Sequence, residues 1–505
     1  MLLLLFLPVV SLAEQQNMQY EPASAANPTP QFGESLGFDD AWREKRENEH
    51  ARILRAAGAR GFYVADANNL SVAYFARREN TSFVPGSTTK IMTALLTIEN
   101  VSLDDVAAAP PEATRLGGTN TMLGLETGEE MRVEDLLYGL MLVSGNDCAI
   151  TLAFLQSDSE SAFAKLMNQR AAALGMKNSN FTNPCGRNVG DNHSTPYDLA
   201  LLTQDALKNE TFCEIVGAAE HTIPANAMRK KPMVIRNANR LVSDTPGKGF
   251  YYPYAIGVKT GATALGTSLV TAARKEDVTI ISVQMGMLGD DNAKRRQELF
   301  TRAVEFFDYV FTYEYAEVDA ASLLGAYSET VPVQGADPND GMLTLCVDTT
   351  GATAYRSIAE IDLLASGAAE FTVETDVHAT APIAQGETVG TATFSYNGRV
   401  WFTLPLIAAN DVVLTTPTPT PSPTPEPPRL KETATPLAPA AIVDEPVTVA
   451  PAPLTPAPTD STSAALADAA QEPDSGFSAF FLVPMAAALL IGALAAALIF
   501  LKKRK

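Results

Sequence analysis

Apolar residues recur along this chain in several textures, and each texture predicts a different structure. From Gly61, G-F-Y-V-A-D-A-N-N-L-S-V-A-Y reads as a strand pair turning at Asn68-Asn69. After Pro85 and Gly86, Ile91, Ala94, Leu95 and Ile98 recur at helical spacing and predict a mostly buried helix. Leu136, Leu137, Leu140 and Met141 mark a second helix, with Glu134 and Asp135 in its first turn, where they suit the dipole. Ser144-Gly145-Asn146 then interrupts the apolar run before Ala149 to Phe154 resume it, and Asp147 reads as a helix cap. Further on, A-I-G-V-K-T-G-A, T-S-L-V-T-A-A and V-T-I-I-S-V-Q-M, with a charged turn at Lys275 to Asp277, predict adjacent antiparallel strands. Strands at both ends of residues 55–315 and helices between them give an α+β domain. Its sheet takes strands from both ends, a helical subdomain packs against it, and a cleft lies between the two.

The rest of the chain divides by composition. Residues 316–414 hold short alternating runs, among them T-L-C-V near Leu345, F-T-V-E-T near Phe371, T-V-G-T-A-T-F-S-Y and R-V-W-F-T-L-P-L. Asn397-Gly398 joins the last two as a tight hairpin, so this is a small all-β domain of sandwich type with a positional or protein-binding role. Residues 415–475, with T-P-T-P-T-P-S-P-T-P-E-P-P, cannot build a core and predict an extended stalk reaching on the order of 100 Å. Residues 477–501 are almost entirely apolar, enough to span a bilayer core of ~30 Å as one transmembrane helix. The basic tail at 502–505 then stays in the cytoplasm and the bulk of the protein lies outside. Residues 1–13 fit a signal peptide cleaved after Ala13, although no Lys or Arg precedes Arg43, and 14–54 read as an N-terminal extension.

Charge and cysteine usage narrow the classes. A net charge of −21 argues against a nucleic-acid partner and fits an exposed soluble module. Cys148, Cys185, Cys213 and Cys346 form no C-x-x-C pair and no metal-ligand spacing, so free thiols and no metal or other cofactor are expected. His193 reads as a loop hydrogen-bonder.

Three short strings carry the candidate chemistry: S-T-T-K at Ser87 to Lys90, S-G-N at Ser144 to Asn146, and K-T-G at Lys259 to Gly261. Each alone has a plain structural reading: an N-cap beside a surface lysine, a helix–helix turn, a solvated edge lysine. Together they stand in the order used by enzymes that attack amides with a serine activated by lysine. Ser87 opens its helix, and Lys90 lies one turn later on the same face. A serine hydroxyl needs a nearby base, and a lysine serves only if burial or a neighbouring cation keeps it neutral near pH 7. Ser144 would relay a proton, while Asn146 orients Lys90 and holds the substrate peptide. At a strand edge, Lys259 and Thr260 suit capture of a terminal carboxylate, and Gly261 lets a ligand approach the backbone.

Over roughly residues 55–310 the chain resembles the low-molecular-weight penicillin-binding proteins, the serine D-alanyl-D-alanine carboxypeptidases that trim peptidoglycan stems. Beyond the three strings the likeness includes the segment from Gly61, G-L-E-T-G-E-E-M-R-V-E-D-L-L-Y-G-L from Gly124 and G-M-K-N-S-N-F-T-N-P-C-G from Gly175. It also includes H-S-T-P-Y-D-L-A from His193 and R-N-A-N-R-L from Arg236. The resemblance implies a β-lactamase/transpeptidase-like fold, with Ser87 as the acylated nucleophile and Lys90 as its base. Ser144 and Asn146 would form the second element, and Lys259, Thr260 and Gly261 would bind the substrate carboxylate. The backbone N–H groups of Ser87 and Ala262 would form the oxyanion hole; relatives often carry a larger residue than Ala262 there. Peptidoglycan stems ending in D-Ala-D-Ala are the implied substrate and β-lactams the implied covalent inhibitors, at the outer face of a bacterial cell membrane. The same site serves a D,D-endopeptidase on cross-links. A β-lactamase is the weaker rival, because no E-x-x-L-N-like segment lies between Asn146 and Lys259.

Overall fold

The β-branched runs beyond Ala255 form the middle of a five-stranded antiparallel sheet in the computed structural model of the chain, which describes residues 38–414 apart from 119, 244–248 and 337–340. Its strands are β1 (Gly61–Asp66), β2 (Asn69–Arg77), β3 (Ala255–Thr263), β4 (Gly266–Lys275) and β5 (Val278–Met287), in the order β2-β1-β5-β4-β3. Both ends of the domain therefore meet at the β1–β5 pairing, as the pattern predicts. All six residues of β1 and all ten of β5 are buried, because the sheet is covered on both faces. Alternation divides them: Phe62, Val64 and Ile280 enter one core, Tyr63, Ala65, Ile281 and Val283 the other.

One core holds the sheet against the helices α1 (Asp40–Ala56) and α4 (Asn292–Tyr313). The other holds it against the helical subdomain, which includes α2 (Lys90–Asn100) and α3 (Asn146–Gln156). Residues of 40–54, expected as an extension, pack through Trp42, Ile53 and Leu54 on this core. Helix α1 is mostly charged and exposed, so its periodicity is weak. It is fixed by the side chain of Asp39 capping Trp42 N, by Ile53, which is 1% exposed, and by a two-pronged Arg46–Glu314 ion pair at 2.7 and 2.9 Å. The first hairpin turns at Ala67-Asn68, one residue earlier than expected, because Asp66 Oδ1 accepts from Asn68 N at 2.8 Å and starts the turn there.

After residue 315 the alternating runs form a second antiparallel sheet of β6 (Ser328–Pro332), β7 (Met342–Val347), β8 (Thr372–Val377), β9 (Thr388–Tyr396) and β10 (Arg399–Ala408), in the order β6-β7-β10-β9-β8. Asn397 and Gly398 both take positive φ, 50° and 73°, so the expected two-residue hairpin joins β9 and β10. Two short helices, Ala320–Leu324 and Ile358–Ala365, add Ala320, Ile361 and Leu364 to the core of this β domain. The charged turn at Lys275 to Asp277 reaches that domain: Arg356 and Arg399 each donate to Asp277 at 2.9 Å. Among the described residues no helix is long and apolar enough to cross a membrane. The expected leader at 1–13, stalk at 415–475, span at 477–501 and tail at 502–505 lie outside the described residues.

Candidate active site

The sheet edge and the helical subdomain meet at a single turn of 3₁₀ helix, Gly86–Thr89, which leads directly into α2. The first eight residues of α2, Lys90 to Thr97, are buried, so Lys90 is carried into the interior with no exposed surface, while Ser87 remains half-buried. Lys90 Nζ lies 3.1 Å from Ser87 Oγ, 2.7 Å from Asn146 Oδ1 and 2.9 Å from the Cys185 carbonyl oxygen. An ammonium has three N–H donors and fills all three contacts. A neutral amine keeps two, for Asn146 and Cys185, and turns its lone pair to the Ser87 hydroxyl. Burial lowers the Lys90 pKa to about 8, partly offset by the thiols of Cys185 and Cys148 and by Asp147. The lysine that the spacing S-T-T-K offers as a base is thus buried and within hydrogen-bond reach of Ser87.

The second string sits where an irregular helix fails. Val133–Tyr138 continues as a π-turn, Gly139–Val143, and stops at Ser144, whose φ of 72° is left-handed. A non-glycine residue in that region costs energy and turns the chain sharply. Here it brings Asn146 to Lys90, with Ser144 8% exposed beside it. Asp147 proves to be more than a cap. Fully buried, its carboxylate accepts from Leu123 N at 2.9 Å, Gly124 N at 2.7 Å and Leu125 N at 3.0 Å, besides Cys148 N at 3.0 Å. It ties a distant loop to α3. Sequence gave no sign of those partners, because backbone amides have no side-chain signature.

The third string lies on β3, the open edge of the sheet. Lys259 is 1% exposed, and among the described residues its Nζ hydrogen-bonds only the Thr260 carbonyl oxygen, at 3.0 Å. Burial and the nearby cations Lys90 and Arg296 push its pKa well below the usual lysine range. A carboxylate arriving there would supply the missing counter-charge. Gly261 has a steric reason besides the ligand approach expected of it. A Cβ on it would stand 2.9 Å from Pro85 O and 3.2 Å from Thr88 N, so glycine is required for β3 to pass the nucleophile turn. Ala262 follows, exposed at the edge, with its amide nitrogen 3.4 Å from the place a Cβ on Gly86 would take. Three glycines thus permit the site: Gly86, Gly261 and Gly186, where a Cβ would overlap Gly86 O at 1.7 Å.

Ser87, Lys90 and Asn146 are joined by hydrogen bonds, and the strand carrying Lys259 to Ala262 passes the same turn, with Ser144 two residues before Asn146. Two contributors escaped the sequence reading: the Cys185 carbonyl, and Asn120, whose Oδ1 accepts from Asn146 Nδ2 at 2.7 Å. The run T-N-P-C-G around Cys185 was the available signal, since its glycine has φ +81°. His193 bonds Asp191 and Asn180 in its loop, as expected. All four cysteines are free, and no cluster of metal-ligating groups occurs among the described residues.

Comparison with known proteins agrees with this geometry. A family model described as D-alanyl-D-alanine carboxypeptidase matches residues 48–289, and one for the C-terminal domain of penicillin-binding protein 5 matches residues 367–414. The chain is 34% identical to the D-alanyl-D-alanine carboxypeptidase DacF of Bacillus subtilis over 236 residues, 46% of this chain but only 57% of that protein. It is 33% identical to a D-alanyl-D-alanine carboxypeptidase of a Streptomyces species over 230 residues, 42% of this chain and 76% of the relative. With DacC of Escherichia coli it shares 29% over 339 residues, 65% of this chain and 78% of the relative. The chain belongs to the D-alanyl-D-alanine carboxypeptidase family.

Proposed function

We propose that this protein is a serine D-alanyl-D-alanine carboxypeptidase that removes the terminal D-alanine from peptidoglycan pentapeptide stems. The observation that carries the reading is Lys90: buried, 3.1 Å from Ser87 Oγ, with its other two N–H bonds engaged. Ser87 Oγ attacks the carbonyl carbon of the penultimate D-alanine while its proton passes to Lys90 Nζ. The oxyanion forms between the Ser87 and Ala262 amides, where each donor contributes about 3 kcal/mol to the transition state. Ser144 relays the proton to the leaving amine, and D-alanine departs. Water then cleaves the Ser87 ester and restores the enzyme. β-Lactams, which present a strained amide beside a carboxylate, acylate the same serine.

Lys259 and Thr260 hold the free carboxylate of the terminal D-alanine. Lys259→Ala should therefore cut turnover of a free-acid D-Ala-D-Ala peptide far more than turnover of its C-terminal amide. Comparing kcat/KM for the two peptides checks it, and equal losses would remove Lys259 from the clamp.

We also propose that the catalytic domain works at the outer face of a bacterial membrane, anchored through residues 477–501. The apolar length of that segment and the four basic residues after it support this topology. Cleavage within 415–475 should release an active, soluble fragment from intact cells without their outer lipid being dissolved. A fragment that stays in the membrane pellet at high salt would contradict the anchor.

A further inference from the structure

We propose that Asn120, a residue outside the three strings, is a positioning residue that sets the acylation base. The inference rests on Ser87 and Lys90 acting as nucleophile and base, and it names the group that holds their geometry. Asn146 must face Lys90 with its amide oxygen, because Lys90 Nζ is the donor in their 2.7 Å contact. Its NH₂ group then needs an acceptor on the other side, and Asn120 Oδ1 provides one at 2.7 Å. The Asn120 amide is itself oriented, since its Nδ2 donates to Gly117 O at 2.5 Å. Flipping Asn146 would set donor against donor at Lys90 and acceptor against acceptor at Asn120. The amide is thereby locked in one orientation.

The backbone of the segment is fixed as firmly. Asn146 N donates to Thr121 O at 2.8 Å, and Asp147 gathers the amides of Leu123, Gly124 and Leu125. Segment 120–125 and the start of α3 form one unit, and that unit presents a single acceptor to Lys90. With Cys185 O taking the second N–H, the lone pair of the neutral amine has one direction left, toward Ser87 Oγ. Without Asn120, the Asn146 amide can pivot and the amine loses its fixed direction.

The test measures acylation by benzylpenicillin as a function of pH in the full-length protein. The charged and titratable groups facing Lys90 are Cys185 and Arg187 on one loop, Asp147 and Cys148 on α3, and Lys259 on β3. Asn120→Ala should slow acylation by roughly 10- to 100-fold, the scale of a small misplacement of a reacting group. The unfolding temperature should fall only slightly, because Asn120 is partly exposed and only its side-chain hydrogen bonds to Asn146 and Gly117 are lost. Asn120→Asp keeps an acceptor for Asn146 Nδ2, gives up the N–H that Gly117 O accepts and adds a negative charge. Acylation should recover at high pH, and its pH midpoint should move upward, since an anion favours protonated Lys90. An Asn120→Ala protein that acylates at the wild-type rate would overturn the proposal. So would an Asn120→Asp protein with an unmoved midpoint, which decides the matter even if the alanine variant folds poorly. A wild-type protein that takes no acyl group would instead refute the nucleophile assignment, and this inference with it.

Discussion

Replacing Lys90 with methionine, which keeps the stem and removes the amine, should lower carboxypeptidase turnover on the order of 10⁴-fold or more. Ser87→Ala should fall as far, and the double variant should fall no further, because nucleophile and base act as one unit. The wild-type pH profile gives the same claim a sign. Burial lowers the Lys90 pKa to about 8, and the proposed base acts only when neutral. Acylation should therefore rise about tenfold per pH unit below that value and level off above it. At pH 7 only about a tenth of the protein holds the amine ready. A profile flat from pH 6 to 9, or a Lys90→Met enzyme with near-normal turnover, would show that another group takes the proton.

Gly186→Ala should be nearly as damaging, although residue 186 touches no substrate. Its φ is +81°, and the added Cβ would fall 1.7 Å from Gly86 O and 2.4 Å from Gly86 C. No rotamer relieves an overlap with backbone. The loop carrying the Cys185 carbonyl must move away from the turn carrying Ser87, and the acceptor that Lys90 uses moves with it. Turnover should drop by roughly 10²-fold or more, the scale expected when reacting groups are displaced. Gly175→Ala is the matching control, because φ is +77° there but nothing stands within 4 Å of the new Cβ. It should lose about 1 kcal/mol of stability from backbone strain and keep its turnover. Thermal unfolding and steady-state kinetics on both variants check the contrast.

The contrast also marks what the sequence could reveal. Ser87, Lys90, Ser144, Asn146 and Lys259 were legible because each is a polar residue set into an apolar frame whose period fixes its place. Sheet and helix order are legible for the same reason, since apolar strand runs at both ends of the domain leave few ways to close it. Helix α1 was not, because the charged face of Asp40–Ala56 hides the few residues that anchor it on α4. For Gly261 the spacing shows its place in the cleft, and the fold adds Pro85 and Thr88 packed against its Cα. Asn120 and the Cys185 carbonyl lie far along the chain from Lys90, and long-range contacts made by a loop leave no periodic trace. Asp147 looked like a local cap because its partners 22 to 24 residues away are backbone amides.

The central claim is that Ser87 becomes covalently acylated. Its most direct test is intact-mass analysis of the protein after brief exposure to benzylpenicillin, followed by mapping of the modified peptide. One adduct per chain, on the peptide that contains Ser87 and absent from the Ser87→Ala variant, is the expected result. An adduct on any other residue, or one that persists in Ser87→Ala, would contradict the account.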